Sequence, residues 1–140
     1  MSFHEKSAWI MGLMIAAIGV WYTQTVFQTS LSLGMTAPPN IGLVAVATAM
    51  LIIGATVSHI IIAAFNPGES DGTEDERDKQ VLRRAGNISG YVLGFGCFAG
   101  LWHYFMQRDG DMLFHIVVVS LILSQLAEYI LTVIYYRRGV

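Results

Sequence analysis

Met112-Leu-Phe-His-Ile-Val-Val-Val-Ser-Leu-Ile-Leu-Ser-Gln-Leu-Ala-Glu-Tyr-Ile-Leu-Thr-Val-Ile-Tyr-Tyr136 is the stretch that decides the fold. It is apolar throughout its length except for His115, Glu128 and a few hydroxyl and amide side chains. About 20 residues at 1.5 Å rise cross a hydrocarbon core of roughly 30 Å, so this segment reads as a transmembrane helix. Three more stretches have the same character: Ser7–Gln28, Ile41–Phe65 and Asn87–Met106. The expected fold is therefore an all-α membrane protein. Four transmembrane helices joined by short connections favour an up-down antiparallel bundle, a single membrane domain over residues 1–140.

Composition supports this. Hydrophobic residues make up 54% of the chain, charged residues only 13%, and mean hydropathy is +0.55, whereas a soluble domain carries about twice that charge. Seven of the eight Lys and Arg residues are Lys6, Arg77, Lys79, Arg83, Arg84, Arg137 and Arg138, before span one, between spans two and three, and after span four. Arg108 alone occupies a connection of opposite parity, and Thr29–Asn40 has no charge. Positive charge stays on the cytoplasmic side, which puts both termini and the middle loop there, in the plasma (inner) membrane.

Pro38, Pro39 and Pro67 fall between spans, where a missing N–H costs nothing. The first apolar run is too long for a secretory h-region, and it is read as a retained span. Trp9 near its inner end, with Trp21 and Tyr22 toward its outer end, suit the two headgroup regions. Cys97 is the sole cysteine, so no intramolecular disulfide is available and the thiol reads as a small apolar side chain.

Residues 66–86 form the one long polar segment. Thr73 and Glu76 have capping-box spacing, and Glu74 to Ala85 then reads as a short cytoplasmic helix with acids leading and bases trailing. Asp75 and Lys79 stand at i,i+4, and Arg83 and Arg84 would meet anionic headgroups. The acids here do not match a calcium-binding EF-hand loop. Solvation of a helix entering the membrane explains most of these charges. The functional reading makes Asp75, Glu76, Arg77 and Asp78 a docking surface for a cytoplasmic or membrane protein partner.

The Asp75-Glu76-Arg77-Asp78 run, followed by Arg83-Arg84 and a glycine-bearing span, resembles small uncharacterised prokaryotic four-span membrane proteins of the domain-of-unknown-function kind. These share a cytoplasmic Asp-Glu-Arg-Asp segment between hydrophobic spans. The resemblance implies the same topology and brings no reaction or ligand with it.

Glu128 is the most conspicuous side chain, because a charge near the bilayer interior costs about 2.5–3.5 kcal/mol on insertion scales. Ser120, Ser124, Gln125, Glu128 and Thr132 recur at helical spacing and share one side of the fourth span. The stripe suits a carboxylate poised for proton or cation exchange, or equally a polar contact that sets helix register. His59 lies about 27 Å from the outer end of span two and Glu128 about 24 Å from that of span four. If those spans touch, the two form a titratable pair that Asn87, Ser89 and Tyr91 could extend.

His103 and His115 flank the outer connection, and two histidines on neighbouring helices can hold haem iron or another metal. Polar side chains at the membrane surface are the commoner use, so no cofactor is expected. Gly86, Gly90 and Gly94 are spaced by four, as are Gly96 and Gly100, which favours close helix packing or a homodimer. No phosphate loop, catalytic Ser or Cys constellation or nucleic-acid patch is present in the chain, and acids alternate with bases in the middle loop. The residues point first to a non-catalytic membrane protein, an accessory or regulatory subunit docking through its charged loop. The alternatives are a small proton-coupled transporter or channel-like protein using Glu128 and His59, and a haem, metal or quinone-binding redox protein using His103 and His115.

Overall fold

The computed structural model describes residues 3–65 and 76–138. They form four helices: α1 Phe3–Leu33, α2 Ile41–Phe65, α3 Glu76–Gln107 and α4 Gly110–Arg138. Each described boundary has a local cause. Gly34 ends α1 in the left-handed conformation at φ 67°, and the Pro38-Pro39 pair cannot continue a helix. Asn40 caps α2 by accepting the Leu43 N–H at 3.1 Å. The α3–α4 turn is only Arg108 and Asp109. Arg108 adopts φ 57° with its guanidinium over the Phe105 ring, and Asp109 Oδ1 caps α4 on the Met112 N–H at 2.9 Å.

In space the helices run in the order α2, α1, α4, α3, each antiparallel to its neighbour. Ser7 meets His59, Tyr22 meets His115, and Ser89 meets Glu128. α4 packs on both α1 and α3, and α2 packs on α1 alone. Among the described residues α2 packs against neither α3 nor α4, so the up-down arrangement is an open row rather than a closed bundle.

Large apolar side chains point outward, Phe95 being 76% exposed, while Ala8, Ile15, Ala85 and Val133 fill the contacts between helices. Water would penalise that distribution; lipid tails accept it. Three helices, α1, α2 and α4, are long and apolar enough to cross a membrane. α3 falls short of that apolarity because glycines, Asn87, His103 and several Tyr and Trp residues dilute its apolar run. A second difference concerns the separate cytoplasmic helix expected before span three. α3 is one continuous helix of 32 residues from Glu76 onward, because no proline or helix-ending turn interrupts it at Gly86. Thr73 and Asp75, the proposed cap and ion-pair partner, lie outside the described residues; Lys79 lies 4.0 Å from Glu76.

The glycines that bring helices together are not those of the first stripe. A Cβ at Gly90 or Gly94 would meet nothing, and at Gly86 it would only approach Glu128 Oε1 at 4.0 Å. Gly96 and Gly100 carry the α3–α4 contact: a Cβ on Gly96 would lie 2.5 Å from Ser120 Cβ, and one on Gly100 3.1 Å from Ile116 and Leu113. Gly19 does the same for α1 against Ile122, at 2.8 Å. Regular spacing marks a strip of small residues but cannot say which strip faces a neighbour. Gly96→Ala should therefore lower stability by about 1–3 kcal/mol, because Ser120 Cβ cannot move without its backbone. Gly94→Ala should cause no loss, and thermal unfolding of the two variants in detergent checks the contrast.

Candidate functional site

Two polar constellations lie inside the row, one on each side of α4. The first ties α1 and the α1–α2 connection to α4. Tyr22 is 1% exposed and its hydroxyl lies 2.8 Å from His115 Nδ1, while His115 Nε2 lies 2.8 Å from the Ala37 carbonyl. A carbonyl can only accept, so Nε2 carries the hydrogen; in the neutral ring Nδ1 then accepts from Tyr22. Ala37 is held on its other side too, its N–H donating to Ser30 Oγ at 3.0 Å. Thr36 donates to Asp109 Oδ2 at 2.7 Å, which fastens the same connection to the α3–α4 turn. Beside this pair, a groove of about 850 Å³ runs between α1 and α4, lined by Val26, Leu31, Met35, Val119, Tyr22 and His115 among others.

The second constellation is the α3–α4 seam. Ser124 is 4% exposed and donates to the Ser89 carbonyl at 2.9 Å. Ser89 is 5% exposed, and its hydroxyl lies 2.9 Å from the Gly86 carbonyl and 3.3 Å from Glu128 Oε2. Thr132 donates to the Glu128 carbonyl at 2.8 Å. Ser120, Ser124 and Thr132 are buried, Glu128 is half-buried, and Gln125 is exposed on the flank.

His59 is not brought to Glu128. It is exposed on α2, 3.0 Å from Ser7 Oγ. Ser7 lies near the level of Glu5, which meets Arg137, whereas Gly12 lies at the level of Tyr129. His59 is thus about 10 Å nearer the charged end than Glu128. Asn87 and Tyr91 are exposed, and of the three residues suggested as extending the network only Ser89 reaches the carboxyl.

The histidine pair at the other end divides as well. Both nitrogens of His115 are engaged by Tyr22 and Ala37, and His103 Nδ1 is enclosed with no hydrogen-bond partner among the described residues. Among the described residues no three His, Cys, Asp or Glu side chains come together in a way that could hold a metal ion. At the opposite end, Arg137 pairs with Glu5 at 3.4 Å and stacks over Trp9, and Tyr136 donates to Asp78 at 2.6 Å. Glu76 and Arg77 are exposed.

The Tyr22–His115–Ala37 linkage is the feature that residue spacing misses. Tyr22 suits a headgroup belt and His115 a membrane surface, and only the adjacency of α1 and α4 shows that they meet. Tyr22→Phe leaves a buried imidazole nitrogen without its donor and should cost about 1–3 kcal/mol, read as a lowered unfolding temperature in detergent. Asp109 gives a pH prediction. The Met112 N–H first, and the Thr36 hydroxyl second, hold its carboxyl below the ordinary aspartate value. A group depressed in the folded state stabilises above its unfolded pKa of about 4 and loses that contribution as pH falls through the lower folded value. The difference in unfolding temperature between the protein and Asp109→Asn should therefore shrink as pH is taken below about 4.

No curated protein and no solved structure matches this sequence. A family model does, over residues 4–140, nearly the whole chain. Apolar helices, outward-facing large side chains and polar groups paired between helices are what a membrane-embedded chain requires, and this one belongs to the DUF2178 family of predicted membrane proteins.

Proposed function

We propose that the protein is a non-catalytic accessory subunit of the plasma (inner) membrane, with both termini in the cytoplasm, that docks a partner through the first turns of α3. The observation that carries this reading is the length and anchoring of α3. Its 32 residues extend about 48 Å against a hydrocarbon core of roughly 30 Å, so several turns stand clear of the bilayer. Those turns present exposed Glu76, Arg77 and Lys79, and exposed Arg83 and Arg84 follow at the headgroup level. They are also held in place: Asp78 accepts from Tyr136, and Val81 and Ala85 are buried. A partner bound there engages a stiff lever that continues into the α3–α4 seam.

The orientation rests on where the basic residues fall. Glu5 with Arg137, and Asp78 with Tyr136, bring the α1 start, the α3 start and the α4 end to one end of the row. Lys6, Arg77, Lys79, Arg83, Arg84, Arg137 and Arg138 cluster there, and Arg108 alone lies at the other end. That asymmetry is the positive-inside pattern.

The test is quantitative mass spectrometry of a tagged copy purified from its native membrane. A stoichiometric protein partner is expected, and it should disappear when Glu76 and Arg77 are both replaced by glutamine. Asp78 is left intact there because it anchors Tyr136. A chain recovered only as monomer or homo-oligomer overturns the accessory reading.

A further inference from the structure

We propose that Glu128 is a reversible proton-binding carboxyl within the membrane, positioned by Ser89 rather than by a histidine. This goes beyond the docking role, and neither depends on the other. Glu128 lies nine residues from Arg137 and sixteen from Met112, roughly 13 Å and 24 Å along the helix. Both distances place it inside the hydrocarbon layer. There a carboxyl needs a countercharge or a proton. Among the described residues no ion pair involves Glu128.

Hydrogen-bond counting supplies the mechanism. The Ser89 hydroxyl has one hydrogen and two candidate acceptors, the Gly86 carbonyl at 2.9 Å and Glu128 Oε2 at 3.3 Å. When that hydrogen stays on Gly86, the Ser89 oxygen keeps a lone pair that can accept from a protonated Glu128. When the hydroxyl turns to Glu128, it donates to the carboxylate. One rotation of one side chain therefore serves both protonation states. The Ser124 bond to the Ser89 carbonyl fixes the backbone about which it turns. Nothing blocks the second oxygen: Gly86 has no side chain, and its Cβ position is 4.0 Å from Oε1. The half-buried carboxyl sits one turn from the Gln125 amide on the same helix.

No other titratable group is positioned to take over this role. From α3 the carboxyl meets Ser89 and Gly86, and the charges of Arg83 and Arg84 lie on exposed positions a turn before Asn87 and Ile88. α1 meets α4 at this level through Gly12, against Tyr129. α2 does not pack on α4, and its His59 is bonded to Ser7.

The test uses dicyclohexylcarbodiimide on the whole protein in detergent or liposomes. A protonated carboxyl adds across one N=C bond: the oxygen bonds to carbon, the proton moves to nitrogen, and rearrangement to the N-acylurea retains the entire reagent. Mass spectrometry should find the adduct on Glu128, with labelling that falls as pH rises. Ser89→Ala removes the donor to the anion and should move the labelling midpoint up by about half a pH unit or more. Ser89→Thr should restore it. The infrared carbonyl band of a protonated carboxyl, lost in Glu128→Gln, reads the same proton without the reagent. A pH-independent carboxylate band in the folded protein overturns the proposal, as does labelling that ignores pH or the Ser89 substitution.

Discussion

Inside a bilayer no water waits to satisfy a polar group, so each must find its partner in the protein. α4 is the helix most affected. It carries His115, Ser120, Ser124, Glu128 and Thr132 within one apolar run, and it packs between α1 and α3. On one side His115 accepts from Tyr22 and donates to Ala37; on the other Ser124 and Glu128 meet Ser89. The remaining hydroxyls fold back onto their own helix, Ser120 to the Ile116 carbonyl and Thr132 to that of Glu128. On α2, Thr56 folds back onto the Ile52 carbonyl and His59 meets Ser7, and α1 is its only packed neighbour among the described residues. The spatial order of the helices thus follows the distribution of polar side chains more closely than it follows chain order.

Hydropathy made α1, α2 and α4 legible, because the length of an apolar run is a local property. The prolines and Gly34 likewise mark where helices cannot continue. The rest depends on pairings that no local pattern contains. Gly86, Gly90 and Gly94 have the same spacing as Gly96 and Gly100, yet only the second set meets α4, because a repeat of four does not reveal which way its strip faces. Counting residues from the outer end put His59 and Glu128 at one depth, but α1 sets the register of both neighbours and separates them. Ser89 was legible only as a polar residue near the right level. Its single hydrogen and two acceptors become visible when α3 and α4 are laid together. The continuity of α3 was hidden for another reason: the composition changes abruptly at Gly86, while the helical backbone does not.

The two ends of the row are built differently. At the Arg108 end the α1–α2 connection is held by three separate bonds, from His115, from Thr36 and to Ser30. At the opposite end exposed Arg137 meets buried Glu5, and Tyr136 donates to Asp78. Fully exposed ion pairs contribute little, about 0–1 kcal/mol, but a pair with a buried carboxyl is not of that kind. Buried neutral hydrogen bonds whose loss strands a partner cost more to break. Both ends of the row are therefore fastened, and α3 leaves the membrane held by Asp78, Val81 and Ala85.

Glu128 sits between those two ends, and packing alone does not account for its chemistry. A glutamine there would have nearly the same volume, could accept the same Ser89 hydrogen, and would carry no ionisable group into hydrocarbon. Small hydroxyl residues already give the close α3–α4 approach at Ser89, Ser120 and Ser124. What a carboxyl adds over an amide is the ability to gain and lose a proton. That ability matters mechanically here because the two states ask different things of Ser89. The hydroxyl that answers them belongs to α3, the helix that carries the exposed charges beyond the bilayer, so a change of protonation at the seam is felt by the element that projects from it.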